Sequence, residues 1–422
     1  MKNRLRNIFA KQNLFIGSVL FGALVWCISF LLLPIETPQV SNETLGYLIA
    51  CFTLFIGGYY AFNFKNQIRF FDTRLNKNYF KICVVILVIA ITFRYIDLFY
   101  YRLLSFNFSF IENKKLVVQN ATQAPLLVTL ISTLRAMYFL PLLYLVIRKS
   151  KSKNKTYWSL SILLILLSSF EILLVGTRKP IFHLVLLLLF ASLYSYDIKN
   201  LLTKKNFFLG GILIVLLGVF SYSVLSRRMT ENTGSNLGIL KVIDSRYNDF
   251  VKINKDKVNE LYANPSSNII KAELLLIHTG QYIVHGVYEL NYIIQNDFPK
   301  ANGLYSFNPI FKFFNRIKVI DVDNSQLKKS HPRNYVYLTF FGSLFVDFGW
   351  FSLLLVFLFG VFQRFIFQIS DLNIVAKLLW IVILTLNIAI PIFNLAAGSG
   401  LYVLLCLNLL LFLSLMSPKL SK

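Results

Sequence analysis

About ten apolar stretches alternate along this chain with mostly short polar connections. They comprise residues 14–33, 45–63, 79–99, 125–147, 157–175, 180–194, 207–225, 348–367, 375–395 and 399–416. Because a helix needs about 20 apolar residues to cross the hydrocarbon core of a bilayer, the pattern predicts an all-α, polytopic membrane protein of about ten transmembrane helices.

One polar segment, residues 226–334, is much longer than the other connections and divides the chain into three parts. Residues 1–225 hold the first seven predicted spans. Residues 335–422 hold the last three spans and, before residue 348, a segment that leads back to the membrane and is called the re-entry segment. A transporter needs no insertion of this size, and we find none of the internal repeats that are typical of transporters. We therefore expect the long loop to carry a function of its own.

The distribution of basic residues predicts the orientation. Lys and Arg are concentrated near the amino terminus and in alternate short loops, which the positive-inside rule assigns to the cytoplasm. Threading ten helices then puts both termini in the cytoplasm and residues 226–334 outside. Basic residues within the long loop do not oppose this, because long loops translocate largely regardless of charge. We expect a multi-pass protein of the bacterial cytoplasmic (inner) membrane.

Composition argues against a nucleic-acid partner and against a metal. The chain is 56% hydrophobic, and its net charge of +24 is spread over short loops, where Lys and Arg meet anionic lipid. Cys27, Cys51, Cys83 and Cys406 lie in or beside apolar stretches, which indicates neither a disulfide framework nor a zinc site. We expect no cofactor.

Two pairs of cations lie at the outer ends of predicted spans. Arg178 and Lys179 precede Pro180 at the start of a helix, where the macrodipole is already positive, so a bound diphosphate would relieve the local conflict of charge. Arg227 and Arg228 follow the seventh span. The alternative interpretation is that these side chains only anchor the spans among lipid headgroups.

Ionisable residues within predicted spans usually face a partner or a wet cavity. Arg94 and Asp97 are one helical turn apart and can neutralise each other. Arg135 lies near the middle of its span and lacks a local partner. Pairing with Glu171 and participation in a buried anion site both remain open for it.

The second part of the long loop predicts an amphipathic helix at about residues 269–294. A thin polar row follows one face of it, consisting of Lys271, His278, Gln281, His285 and Glu289. This suits a helix at the membrane surface over a cavity, with His278 or His285 as an acceptor-activating base and Glu289 paired to His285. A zinc site is weaker, since no His-Glu-x-x-His is present. Interfacial side chains without a catalytic role are the other alternative.

The outer location restricts the chemistry that such a loop can perform. No ATP or nucleotide sugar is present there, so a group-transfer enzyme must use a donor that a lipid has delivered already activated. Polyprenyl diphosphate glycans form the obvious class. At the entry to the eighth span, Asp347 is expected to cap the helix, with its carboxylate near the outer face.

Four short patches, in this order and spacing, resemble the oligosaccharide repeat unit polymerases, the Wzy-type O-antigen and capsule polysaccharide polymerases. The patches are GTRKP at 176–180, the helix at 282–289, FNPI at 307–310, and YLT followed by FVDFGWF at 337–351. The resemblance implies a membrane glycosyltransferase of GT-C-like architecture. It would transfer a glycan from undecaprenyl diphosphate to the non-reducing sugar of another lipid-linked repeat unit, forming O-antigen of lipopolysaccharide or capsule.

With that reaction in mind, we assign expected roles to residues of this chain. The candidates are, for catalysis, His285, His278 and Glu289; for diphosphate binding, Arg178, Arg227, Arg228 and Arg135; and for sugar binding, Tyr282, Tyr337 and Asp347. Expected partners are the lipid-linked oligosaccharide, membrane lipids and a chain-length regulator. Rival hypotheses are an O-antigen ligase, which would transfer glycan to a terminal acceptor, a lipid-phosphosugar glycosyltransferase, and a polysaccharide flippase.

Overall fold

The computed structural model describes residues 11–64, 79–106, 108–148, 155–177, 179–196, 203–233, 243–263, 267–333 and 336–416, and it is almost entirely helical. The helices of the first half are α1 (Leu14–Leu32), α2 (Asn42–Ala61), α3 (Tyr79–Ile96), α4 (Phe110–Gln119), α5 (Leu126–Thr133), α6 (Leu140–Ile147), α7 (Lys155–Ser169), α8 (Glu171–Val175), α9 (Lys179–Ser195) and α10 (Lys204–Thr233). Those of the second half are α11 (Lys255–Ala263), α12 (Asn268–Gln295), α13 (Asn308–Arg316), α14 (Asn324–Ser330), α15 (Phe340–Phe348), α16 (Ser352–Ile369), α17 (Ile374–Ala389) and α18 (Ser399–Met416).

The apolar stretches are helical, as predicted. Among the described residues, six helical segments are long and apolar enough to cross a membrane: Leu14–Leu32, Asn42–Ala61, Tyr79–Tyr101, Leu126–Ile147, Phe208–Arg227 and Phe340–Ile369. Shorter apolar helices correspond to the other predicted spans: Lys155–Ser169, Pro180–Ser195, Ile374–Ala389 and Gly400–Leu415. The prediction of an all-α membrane protein is therefore confirmed.

The chain forms two compact units that do not follow the linear division into spans and loop. The first unit comprises Met1–Gln12 and Arg74–Ile239, and the second comprises Asn13–Thr73 and Leu240–Lys422. Helices α3 to α10 thus belong to the first unit, whereas α1 and α2 pack with the carboxy-terminal half. Two details add to the predicted pattern. Helix α10 continues past residue 225 to Thr233, and a 3₁₀ turn, Leu134–Met137, interrupts the fourth span.

Helices α2 and α16 of the second unit pack closely along their length and run in the same direction. Near their beginnings, the hydroxyl of Tyr47 lies 2.8 Å from that of Ser352. Further along, a methyl group on Gly58 or Gly360 would overlap a backbone carbonyl oxygen of the facing helix. Small residues allow this close approach, which is how helices associate where no water drives them together.

Buried amides connect α16 and α17 to α1. The side chains of Gln363 and Asn387 donate to each other at 2.9 and 3.0 Å, and Asn387 also donates to the hydroxyl of Ser18 at 3.2 Å. All three residues are buried. Hydrogen bonds of this kind satisfy polar groups that lipid cannot, so they hold the three helices in register.

The connection between α1 and α2 is hydrogen-bonded to the long polar segment. Strand β1 (Ile35–Glu36) pairs antiparallel with β2 (Lys252–Ile253), with Ile35 opposite Ile253. In addition, the backbone N–H of Ser41 donates to the side-chain oxygen of Asn291 on α12 at 2.9 Å. These contacts attach α11 and α12 to the helices of the second unit.

Candidate functional site

The polar row of α12 faces the interior of the second unit. Gln281, His285 and Glu289 recur every four residues, and 0%, 2% and 0% of their surfaces are exposed. These three side chains are therefore enclosed by protein and not exposed on the surface of the helix. Buried polar side chains need partners, and each of these three attaches a different segment to α12.

Glu289 pairs with a histidine from outside α12. Its Oε1 lies 3.1 Å from Nε2 of His331, the residue that follows α14, and its Oε2 lies 3.5 Å from a guanidinium nitrogen of Arg333. Because a carboxylate accepts hydrogen bonds, the Nε2 atom of His331 carries a proton. The lone pair of the neutral ring is then on Nδ1.

The Nδ1 atom of His331 accepts no hydrogen bond from any part of the chain that the structure describes. The imidazole is otherwise confined, since 8% of the residue is exposed and the ring of Tyr305 packs edge-on against it at 5.4 Å between centroids. A histidine oriented by a carboxylate through one nitrogen, with a lone pair on the other, has the geometry of a general base. We call Glu289 and His331 the carboxylate–histidine dyad.

Arg333 connects the dyad to residues 246–250, which also belong to the second unit. Its guanidinium donates to the backbone carbonyl of Arg246 at 2.9 Å and to the carboxylate of Asp249 at 2.8 Å. The same group lies 4.0 Å from the ring centroid of Phe250. With Glu289 nearby, Arg333 therefore connects two chain segments that are more than 80 residues apart.

Asp347 contacts the dyad only indirectly, through Tyr305, and does not cap its helix. It lies inside α15, whose N-cap is Thr339, so the capping prediction is wrong. Its two carboxylate oxygens accept the backbone N–H groups of Tyr305 and Ser306 at 2.9 and 2.8 Å, and the side chain is fully buried. Since both oxygens are used, Asp347 holds Tyr305 in place and does not present a surface to a sugar. Burial, with the charges of Glu289 and Asp347, raises the pKa of Tyr305, which stays protonated.

His285 is engaged through both ring nitrogens. Its Nδ1 lies 3.1 Å from the carbonyl oxygen of Tyr282, and its Nε2 accepts the backbone N–H of Tyr337 at 3.0 Å. The expected His285–Glu289 pair is therefore not formed, because Glu289 is directed to His331. Burial lowers the pKa of His285 to about 4, so the ring is neutral at pH 7. In this structure it attaches the re-entry segment to α12.

A glycine makes that attachment possible. A methyl group at Gly286 would lie 2.9 Å from the carbonyl oxygen of Ile392 and 3.1 Å from the side chain of Thr339. The re-entry segment is held from its other side as well, since the N–H of Asn394 donates to the carbonyl of Leu338 at 3.1 Å. Residues 336–339 therefore lie between α12 and the residues that follow α17.

The other candidates of the second unit are aromatic neighbours. The rings of Tyr282 and Tyr337, both expected to bind sugar, are 5.3 Å apart between centroids. His278 lies 5.4 Å from the ring of Tyr247, a residue that sequence reasoning did not single out. The structure thus places His278 beside an aromatic side chain, and the dyad uses a different histidine.

The cation candidates belong to the first unit. Arg178 and the side chain of Arg228 lie outside the described residues. Arg227 lies in α10, where it pairs with Glu231 at 3.0 Å and covers the ring of Phe110 on α4 at 4.3 Å. The same ring abuts Gly176, at which φ is +65° and a methyl group would lie 2.8 Å from the ring. Phe110 thus brings Arg227 next to the turn that leads to Arg178.

Five ionisable residues of the first unit, three arginines and two carboxylates, form one network. Arg94 pairs with Asp97, as predicted, and also with Glu171. Arg135 pairs with Glu171 at 2.8 Å, which decides in favour of the pairing alternative. Arg102 binds Asp97 at 3.0 Å. Three arginines share two carboxylates, so the network keeps one positive charge in excess.

His331, Arg333 and Tyr305 were missed by reasoning from the sequence, because they lie in irregular or short elements without periodicity. A signal was present, since His331 is one of four histidines in the chain and is followed after one residue by a cation. Within the described ranges, no group of three or more His, Cys, Asp or Glu side chains is arranged to hold a metal ion.

Comparisons with protein-family models, with curated proteins and with solved structures find no match for this chain.

Proposed function

We propose that this protein polymerises polyprenyl diphosphate-linked oligosaccharide repeat units on the outer face of the bacterial cytoplasmic membrane. The observation that carries the proposal is the carboxylate–histidine dyad of Glu289 and His331, built into the long extramembrane segment of a helical membrane protein. The resemblance of four sequence patches to repeat unit polymerases supplies the reaction. The product would be O-antigen or capsular polysaccharide.

Ten spans and an outer location for the long segment are part of the proposal. The β1–β2 pair joins the α1–α2 connection to the long segment by hydrogen bonds. Because such bonds cannot form across a bilayer, this supports a location of both segments on the same side of the membrane. The parallel course of α2 and α16 supports the same threading. The four shorter apolar helices would complete the count, with α7 extended by α8, in a GT-C-like arrangement.

The dyad would activate the acceptor. The hydroxyl proton of the acceptor sugar passes to Nδ1 of His331, and the hydroxyl oxygen forms a bond to the anomeric carbon of the donor glycan. The bond from that carbon to the diphosphate oxygen breaks, and polyprenyl diphosphate leaves with the electron pair. Glu289 stabilises the imidazolium that forms, and the proton then passes to solvent.

Binding of the leaving diphosphate is assigned to arginines on the basis of the sequence. Arg178, Arg227 and Arg228 are assigned to the diphosphate, since guanidinium groups match phosphate oxygens in bidentate fashion. Arg135 is not assigned to the diphosphate here, because it pairs with Glu171 at 2.8 Å. His285 is given the role of positioning Tyr337, and His278 that of flanking the sugar.

Reconstitution tests the function directly. The purified protein in nanodiscs, given a lipid diphosphate-linked repeat unit and no other enzyme, should produce a ladder of products that differ by one repeat. In cells, a deletion should accumulate a single repeat on its lipid carrier. Accumulation of full-length lipid-linked polymer would instead identify a ligase, and accumulation of repeats on the cytoplasmic face a flippase.

Topology is tested separately by labelling Lys318→Cys in a cysteine-free protein with a membrane-impermeant maleimide. Labelling of intact spheroplasts is expected. If residue 318 reacts only after permeabilisation, the long segment is cytoplasmic and the proposed reaction has no donor on that side.

A further inference from the structure

Four aromatic rings of the second unit form a cluster that the dyad itself does not use. Tyr247 lies in the 3₁₀ turn Arg246–Asp249, Tyr282 on α12, Tyr337 in the re-entry segment and Phe393 after α17. The ring of Tyr282 is the centre of the cluster. Its centroid is 6.1 Å from that of Tyr247, 5.3 Å from Tyr337 and 5.7 Å from Phe393.

The cluster lies at the surface of the second unit. Tyr337 is 50% exposed, and the other three residues are partly exposed. The hydroxyl of Tyr337 forms no hydrogen bond within the described residues. Tyr282 meets Tyr247 at 87° and Tyr337 at 65°, so the rings form an angled wall and not a flat stack.

Two connections bring this wall close to the dyad. Arg333, which contacts Glu289, donates to the carbonyl of Arg246, the neighbour of Tyr247. Tyr305, whose ring packs on His331, lies beside the backbone of Leu338, the neighbour of Tyr337. The wall and the dyad therefore share the segment that contains residues 331–333 and 336–339.

The chemistry of the wall matches a pyranose. Aromatic side chains offer large, rigid, apolar faces, and tyrosine adds a polar tip. A sugar ring has a complementary character, with C–H groups on one face and hydroxyls around its edge. An angled pair of rings can therefore contact the C–H face while tyrosine hydroxyls bond at the edge.

We propose that Tyr247, Tyr282, Tyr337 and Phe393 form the binding site for the terminal pyranose of the acceptor glycan, an assignment that rests on the proposed polymerase function. Tyr247 and Phe393 are new members of the site. The wall holds the sugar ring beside His331, so that the acceptor hydroxyl reaches the free nitrogen of the dyad.

Saturation-transfer difference NMR on the nanodisc-embedded protein tests the site without a lipid-linked donor. The probes are methyl β-D-glucopyranoside and methyl β-D-galactopyranoside, and saturation is applied to the aromatic protons. Transfer to ring C–H protons is expected with the wild type. Tyr337→Ala should weaken the affinity about three- to tenfold, whereas Tyr337→Phe should stay close to wild type, because the ring supplies most of the contact.

Tyr262→Ala is the matched control, since Tyr262 is equally exposed at 50% but lies on α11, outside the wall. Equal transfer in Tyr337→Ala and Tyr262→Ala, or no transfer with the wild type, would overturn the proposal. The polymer ladder is measured on the same samples. Pyranoside binding without a polymer ladder would support the sugar site and contradict the polymerase function. A ladder without pyranoside binding at the wall would support the polymerase function and contradict this sugar site.

Discussion

Replacing Glu289 with Gln is the sharpest perturbation of the proposed dyad. The substitution keeps the shape of the side chain and removes its charge. Glu289 is fully buried, and its partners are His331 at 3.1 Å and Arg333 at 3.5 Å. The amide can still contact His331, but it no longer stabilises a positive charge on the imidazole as the acceptor proton arrives.

The expected loss follows from the strength of one charged hydrogen bond. Such bonds contribute about 1.5–3 kcal/mol, and about 1.4 kcal/mol corresponds to a factor of ten in rate. The rate of repeat addition should therefore fall about 10- to 100-fold. The free energy of unfolding should change by less than this activation free energy, because Arg333 keeps Asp249 and the Arg246 carbonyl as partners.

The assay is single-turnover repeat addition in nanodiscs at saturating donor and acceptor, with thermal unfolding measured on the same samples. Glu273→Gln is the control, since Glu273 lies on the same helix and is 35% exposed in an ion pair with Lys257. Exposed pairs contribute about 0.2–1 kcal/mol, so this variant should keep the wild-type rate.

A double variant extends the test. His331→Ala alone should lower the rate of repeat addition about 100- to 10,000-fold. If the two residues act as a unit, adding Glu289→Gln to His331→Ala should lower the rate little further. A folded Glu289→Gln protein whose rate stays within about twofold of wild type would refute the role of the dyad.

Three further predictions concern stability and donor binding. Gly58→Ala should lower the free energy of unfolding by about 1–3 kcal/mol, since the methyl group overlaps a carbonyl of α16, whereas Gly57→Ala, which meets nothing within 4 Å, should be neutral or slightly stabilising by thermal unfolding in detergent. His285 resists protonation when folded, because its pKa is about 4 against 6.5 unfolded, so stability should fall by about 3 kcal/mol as the pH drops from about 6.5 to 4; His285→Gln should lack this component, and identical pH dependence of the melting temperature would contradict it. Phe110→Leu removes the ring beneath Arg227 and should raise KM for the lipid diphosphate donor about two- to fivefold at unchanged kcat, while an unchanged KM would separate Phe110 from the donor site.

The fold class and the helix positions were predictable because they depend on local properties. Apolar stretches of span length can satisfy their backbone groups in lipid only as helices, and the predicted stretches are helical. The amphipathic helix expected at 269–294 is α12, Asn268–Gln295. Such helices are held by hydrogen bonds between residues four apart, so the local order of apolar residues predicts their approximate positions.

The partners of the candidate residues were not predictable in the same way. Periodicity puts His285 and Glu289 on one face, but it does not say what that face meets. In the structure, Glu289 contacts His331, 42 residues further along the chain, and His285 contacts the backbone of Tyr337. Asp347, which looked like a helix cap, binds the backbone of a segment about 40 residues earlier.

The sequence by itself therefore determined which segments form apolar helices and which residue types are candidates for proton transfer and phosphate binding. Only the tertiary structure decided which histidine the buried carboxylate orients and which aromatic rings surround it. The physical reason is that burial makes each polar atom find a partner, and the nearest partner in space is set by how helices pack, through contacts such as those of Gly58 and Gly286. Such packing depends on residues far apart in the chain, whose proximity no local pattern contains.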